Sequence, residues 1–303
     1  MKNQKTNSRR KFVKQSSLLL SAAILPIHSF SMQTKPKFKM GLQLFTIRDA
    51  MAKDPLGSLK KVAALGYQDL ETYGYDGEKD MYYGYSSADF KKILEDLELT
   101  ATSGHYGFSD YFEKSKDELK SFVDQCIIGA KALDKSYITW PWLAPEYRTI
   151  EKFKLLAEKL NIIGEQVNAA GLGFAYHNHD FEFTYHSGEI GYDSILNDTD
   201  PELVKLQMDM YWVEHSSKKS PKQLITENPG RYVMWHIKDM DKVTRDYSEL
   251  GNGSIDYVDM LSKIDTDVLQ YYYLEQGGNF AQNSMQSITD SASYFKKNLQ
   301  KFL

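Results

Sequence analysis

Short apolar, β-rich runs recur about every thirty residues after position 38, and a stretch with helical periodicity follows each of them. Eight runs are predicted as strands: Met40–Phe45, Gln68–Tyr73, Thr100–His105, Ser136–Trp140, Gly173–His177, Val204–Met208, Tyr232–Ile237 and Leu269–Leu274. Asp54-Pro55 reads as an N-cap followed by a proline in the first turn, where its missing N–H costs nothing. Leu56, Leu59, Val62 and Ala63 then form an apolar stripe, and Gly66 closes the helix. Phe153, Leu156, Ala157, Leu160, Ile163 and Val167 mark a long helix ending at Gly171. Ser220-Pro221 opens another, which Asn228-Pro229-Gly230 stops. Ser254 is expected to cap a helix carrying Tyr257, Val258 and Leu261, and the last helix is expected over about Ser287–Phe302.

Eight β/α units without a linker predict an α/β fold, a (β/α)8 TIM barrel, with residues 32–303 as one domain. A doubly wound open sheet shows the same alternation. However, Gly41-Leu42-Gln43-Leu44 after the first strand start offers neither the glycine pattern nor the phosphate loop of that fold.

Composition narrows the class further. Hydrophobic residues make up 42% and charged residues 26%, which suits a globular chain with a full-sized core. The single cysteine, Cys126, excludes an internal disulfide and a Cys-based zinc site, and reads as a small buried hydrophobe. Residues 1–31 stand apart. They carry Lys2, Lys5, Arg9, Arg10, Lys11 and Lys14, no acid, and an apolar run from Leu18 to Leu25. That run is well short of the roughly 20 residues a membrane span needs, so it reads as a cleavable signal. Ser8-Arg9-Arg10-Lys11-Phe12-Val13-Lys14 resembles the twin-arginine export motif, which implies a periplasmic protein. No cysteine lies near residues 28–34, so no lipid anchor is expected there. Without residues 1–31 the chain carries 31 basic against 41 acidic residues, a net charge of −10. A nucleic-acid partner, which needs a basic face, is not expected.

Polar residues gather at the predicted strand ends, where a barrel of this kind does its chemistry. The fifth strand ends in Tyr176-His177-Asn178-His179, the sixth in Met208-Asp209, the seventh in His236-Ile237-Lys238-Asp239 and the eighth in Leu274-Glu275. Residues i and i+2 of a strand share a face. One face of the last four strands therefore offers His177, Asp209, His236 and Glu275 at its tip. Two imidazoles and two carboxylates can hold one divalent ion such as Mn, Zn or Co. His28 lies in the signal, and His186 and His215 have loop contexts that read as surface. Trp140 and Trp142 flank Pro141, where they either form a sugar-stacking wall or close the barrel mouth.

His236-Ile237-Lys238-Asp239, Asp209-x-x-Trp212 and Glu275 resemble the xylose isomerase-like TIM barrel superfamily, and Leu65-Gly66-Tyr67-Gln68-Asp69-Leu70-Glu71 looks like its second β/α unit. The resemblance covers about residues 39–300. It implies a carbohydrate substrate and one Mn-like ion held in family epimerases by Glu, Asp, His and Glu from strands five to eight, the glutamates also moving the proton. Asp209, His236 and Glu275 match the last three. His177 stands where the first glutamate would be, a departure that removes one base and looks more like the dehydratase-type branch.

Such an ion stabilises the enediolate formed when a proton is taken from the carbon beside a carbonyl. Glu275 is the first candidate base and His179 the second, with Lys238 placed to meet developing negative charge. Glu71, His105, Trp140 and Trp212 are the expected substrate contacts. No Lys/Arg cluster would grip a phosphate, so an unphosphorylated sugar is expected. The readings are a metal-dependent isomerase or epimerase, a lyase acting on a keto-sugar or 3-keto-glycoside, and a non-catalytic sugar-binding barrel. The oligomeric state stays open, a homo-oligomer included. Export by the twin-arginine route predicts that changing Arg9 and Arg10 to lysine leaves uncleaved precursor in the cytoplasm. Unchanged periplasmic accumulation on immunoblots of cell fractions would contradict it.

Overall fold

The computed structural model describes residues 37–186 and 188–303; the signal expected over 1–31 lies outside them. Eight strands form one parallel sheet: β1 (Gly41–Gln43), β2 (Asp69–Thr72), β3 (Thr100–Gly104), β4 (Tyr137–Trp140), β5 (Gly173–His177), β6 (Lys205–Asp209), β7 (Tyr232–Ile237) and β8 (Tyr271–Leu274). Their order is β3-β2-β1-β8-β7-β6-β5-β4. Backbone bonds from Ser136 N to Thr102 O and from Tyr106 N to Thr139 O join β3 to β4, so the sheet curls into a barrel. The expected TIM barrel is the fold.

The helices form where their end signals predict, with two adjustments. Asp54 accepts from Gly57 N and opens Pro55–Ala64, and Gly66 follows at φ +83°, a left-handed conformation that glycine adopts without strain. Ser220 and Gln223 cap each other at Pro221–Glu227. The cap of Tyr257–Leu261 is Asp256, which accepts from Asp259 N; Ser254 instead binds Met240 O through both its N–H and its hydroxyl. The last helix starts at Ser284, earlier than Ser287, because Asn283 accepts from Gln286 N. No helix of the described residues is long and apolar enough to cross a membrane.

Side chains alternate between two buried environments. Outward-facing residues such as Leu42, Leu70, Ile138, Phe174, Leu206, Trp235 and Leu274 pack under the helices. Inside the barrel, Tyr137, Ala175, Val233, Met234 and Tyr273 fill an apolar layer. Toward the C-terminal ends the interior turns polar, with Gln43, Glu71, Ser103, Thr139, Gln207, Asp209 and His236 all fully buried. Two register shifts occur in the ring, between Leu70 and Glu71 and between Leu206 and Gln207. The extra residues are Thr102 on β3 and Val233 on β7; Glu71 and Gln207 follow the regular inward alternation of β2 and β6 and meet across the interior through a 2.7 Å hydrogen bond. Strand β1 is shorter than expected because the Gln43 side chain accepts from Phe45 N at 3.0 Å and turns the chain into a 3-10 helix.

Candidate active site

The last residues of β5 and β6, a residue within β7 and the residue after β8 converge. His177, Asp209, His236 and Glu275 each offer one donor atom, and these atoms lie within 4.8 Å of one another, a spacing that can hold a single ion. Asp209 has two duties. Its Oδ1 accepts from Trp212 N at 3.3 Å and caps the helix Met210–Ser216, while Asn178 Oδ1 accepts from its backbone N–H at 3.0 Å. Asp209 Oδ2 is left to the site. Lys238 Nζ lies 2.6 Å away, an ion pair without the alignment of a hydrogen bond. His177 Nδ1 is likewise buried without a hydrogen-bond partner. Unsatisfied buried atoms at a convergence of nitrogen and oxygen donors fit a borderline divalent cation.

Charge compensation organises what surrounds these four. His236 Nδ1 faces Glu275 Oε2 at 2.6 Å and its Nε2 faces Glu71 Oε2 at 2.5 Å. Against burial, which favours the neutral ring, Glu71 and Glu275 raise the His236 imidazole to about 9. Burial would raise Glu71, yet His105 and His236 hold it well below the usual carboxylate range. Burial likewise opposes the charged forms of Glu275 and Lys238, but these two, with His236 and Asp209, hold each other ionised. Lys238 Nζ is 2.7 Å from Glu275 Oε2. His179 is different: burial and the nearby Lys238 charge hold its ring well below the ordinary histidine range, so it stays neutral.

A cavity of about 850 Å³ opens above this cluster, its inner end lined by His105, His177, His179, Lys238, Tyr247 and Glu275. Of the expected substrate contacts, His105 is on the wall, its Nε2 2.8 Å from Gln207 Oε1. Glu71 is not. It lies fully buried below the lining, and besides the two histidines it accepts from Gln43 Nε2, Ser103 Oγ and Gln207 Nε2, each at 2.7 Å. With both oxygens taken, Glu71 holds His236 and does not reach a substrate. Trp140 is also buried. Its Nε1 donates to Trp142 O at 2.8 Å and its ring stacks on Phe108 in the core outside the barrel, so Trp140 neither reaches a substrate nor closes the barrel mouth, while Trp142 faces the cavity. Trp212 stands behind the wall, with its ring beside those of His179 and Tyr247.

Sequence reasoning missed Gln43, Ser103 and Gln207, which hold Glu71, and Tyr247, supplied by the loop after β7. Buried amides at inward strand positions were a signal for the first and third, since such positions are normally apolar below the site. His215 pairs with Ser216 away from the cluster, and Cys126 is buried with its thiol pushed up by burial.

The barrel and the position of the site at its C-terminal end define the class, and the comparisons define the family. The model of the xylose isomerase-like TIM barrel family matches residues 59–296, and the chain belongs to that family. Among solved structures, the chain is similar to a sugar phosphate isomerase/epimerase from Parabacteroides distasonis, with 26% identity and a TM-score of 0.75 over 86% of this chain and 98% of that one. It shares its fold with the IOLI protein, whose structure holds a zinc atom, at 16% identity and a TM-score of 0.70, over 88% of this chain and 99% of that one. The fold is also that of the 3-keto-D-glucoside 4-epimerase YcjR from E. coli, at 15% identity and 0.66, over 86% and 100%. No curated protein matches the chain in sequence.

A carboxylate behind a ligating histidine fixes its ring and raises its basicity, and its removal typically costs about 10–100-fold in metal affinity. Glu71→Gln, which keeps size and loses charge, is expected to weaken Mn²⁺ or Zn²⁺ binding by about that factor in equilibrium dialysis, with an unchanged circular dichroism spectrum. Wild-type affinity in the variant would reduce Glu71 to packing.

Proposed function

We propose that this chain is a metal-dependent carbohydrate isomerase- or epimerase-like enzyme that abstracts an α-proton from an unphosphorylated keto-sugar. The observation that carries the reading is the convergence of His177, Asp209, His236 and Glu275 beneath a cavity whose lining includes His177, His179, Lys238 and Glu275. Family membership and the Parabacteroides relative support it. A divalent ion held by the four residues would act as a Lewis acid on adjacent substrate oxygens and acidify the C–H beside the carbonyl. Glu275 is tied through Oε2 to His236 and Lys238, and its other oxygen is left to take the proton. The neutral His179 ring, with Nδ1 unpartnered, is the alternative base. The charged Lys238 ammonium donates toward the oxyanion that develops on the substrate.

Among the described residues Lys238 is the only lysine or arginine lining the cavity, against Asp76, Glu78, Asp110 and Glu275. That balance disfavours a phosphate group. One observation favours the lyase reading. Glu182, the glutamate nearest in sequence to His177, is engaged elsewhere: it accepts from Tyr176 OH and His179 N, and burial pushes it up to about 8. Among the described residues Glu275 is then the one glutamate at the inner cavity, and elimination from a keto-sugar needs one base where two-glutamate epimerisation needs two. We also infer an exported, periplasmic enzyme, on the twin-arginine-like segment alone.

Proton NMR in D₂O with a panel of keto-sugars tests the chemistry. The wild type is expected to place solvent deuterium at an α-carbon, and product identity separates isomerase from lyase. Glu275→Gln should lose about 10²–10⁴-fold of that exchange while keeping partial metal binding, with a smaller loss in His179→Ala. Wild-type exchange in Glu275→Gln beside a dead His179→Ala would make the histidine the base. Sugar binding with no exchange by the wild type would favour a non-catalytic barrel.

A further inference from the structure

The reacting groups occupy only the inner end of the cavity. Its volume of about 850 Å³ lies toward the top of the roughly 300–1,000 Å³ range of small-molecule sites. A single sugar ring against His179, Lys238 and Glu275 leaves much of that space unfilled.

The outer wall has a chemistry of its own. Phe45, Tyr73 and Trp142 line it, following β1, β2 and β4. Phe45 and Trp142 are 40% and 42% exposed, although rings of this size are normally covered, and exposed apolar groups rimmed by polar ones mark binding surfaces. Both rings are held in place. The Arg48 guanidinium lies 4.4 Å from the Phe45 centroid while its Nη1 donates to Phe45 O at 3.0 Å. Arg148 lies 5.2 Å from the Trp142 ring and 3.7 Å from Phe181, anchored by its Nε donating to Leu143 O at 2.9 Å. Tyr73 meets Phe45 edge to face at 5.4 Å. Rings fixed before a ligand arrives lose little freedom on binding. The charged residues lining this outer part are Asp76, which is paired with Lys79, and the acceptors Glu78 and Asp110. Aromatic faces suit the C–H face of a sugar ring, carboxylates accept from its hydroxyls, and the acidic balance repels an anionic group.

We propose that the outer wall is a second subsite, which takes the neutral second unit of a two-part carbohydrate. The substrate class is then a glycoside or disaccharide carrying the keto-sugar, in preference to a free monosaccharide or a sugar phosphate. This rests on the reading of the inner site as a sugar-processing centre and adds to it what lies beyond the reacting ring.

Calorimetric titration with D-fructose and with two disaccharides that contain it, lactulose and palatinose, tests the subsite without requiring turnover. At least one disaccharide is expected to bind about 10-fold or more tightly than D-fructose. Phe45→Ala and Trp142→Ala should each cut that preference by about 3–10-fold, the worth of one aromatic contact. Equal affinity for all three sugars, no binding of either disaccharide, or a preference that survives in both variants would overturn the proposal. Deuterium exchange with the same sugars keeps the two readings apart. A disaccharide preference without exchange sinks the enzyme reading and leaves the subsite, whereas exchange without the preference sinks the subsite alone.

Discussion

Three carboxylates buried within one end of a barrel set the terms for everything around them. Glu71, Asp209 and Glu275 have left water, and a buried carboxylate is tolerated only where cations and hydrogen-bond donors meet it. Glu71 is met by two histidines and three neutral donors, Asp209 by a helix N-terminus and Lys238, and Glu275 by His236 and Lys238. Removing any one partner leaves a buried charge uncompensated, which is why these side chains form one network and not separate pairs. The network also explains why Glu71 is fixed and Glu275 is free to react. Glu71 has no oxygen left over, while Glu275 keeps one toward the cavity.

The barrel scaffold makes this arrangement affordable in backbone terms. The polar cluster at the C-terminal end lies above a layer of Tyr137, Val233, Met234 and Tyr273, and at the other end of β2 the buried Asp69 is met by Thr100 and Thr102. Glu71 and Gln207 sit at inward positions of regularly alternating strands and meet across the interior, and the two register shifts are taken up by Thr102 on β3 and Val233 on β7.

Much of this was legible in the sequence, for reasons that differ by residue. The eight strands and most helix ends follow from period-two and period-3.6 patterns and from caps such as Asp54 and Ser220, all local signals. Asp209, His236, Glu275 and His177 could be grouped because strand geometry assigns each a face. Glu71 could be found but not placed: sequence put it at a strand end, and only its buried hydrogen bonds to Gln43, Ser103 and Gln207 show that it lies beneath the wall. Trp140 and Trp142 are two residues apart and separate completely, one buried and one facing the cavity, because the chain leaves the strand between them at Pro141. Tyr247 carried no signal at all, since a loop supplies it and its position depends on packing from several strands.

The account depends most on the claim that His177, Asp209, His236 and Glu275 hold one divalent ion. Its most direct test is metal analysis by plasma mass spectrometry of protein purified without a histidine tag, before and after incubation with Mn²⁺, Zn²⁺ or Co²⁺. About one ion per chain is expected in the wild type, and close to none in an Asp209→Ala/His236→Ala variant that keeps its fold by circular dichroism. A stoichiometric ion in that double variant, or none in the wild type after loading, would contradict the claim.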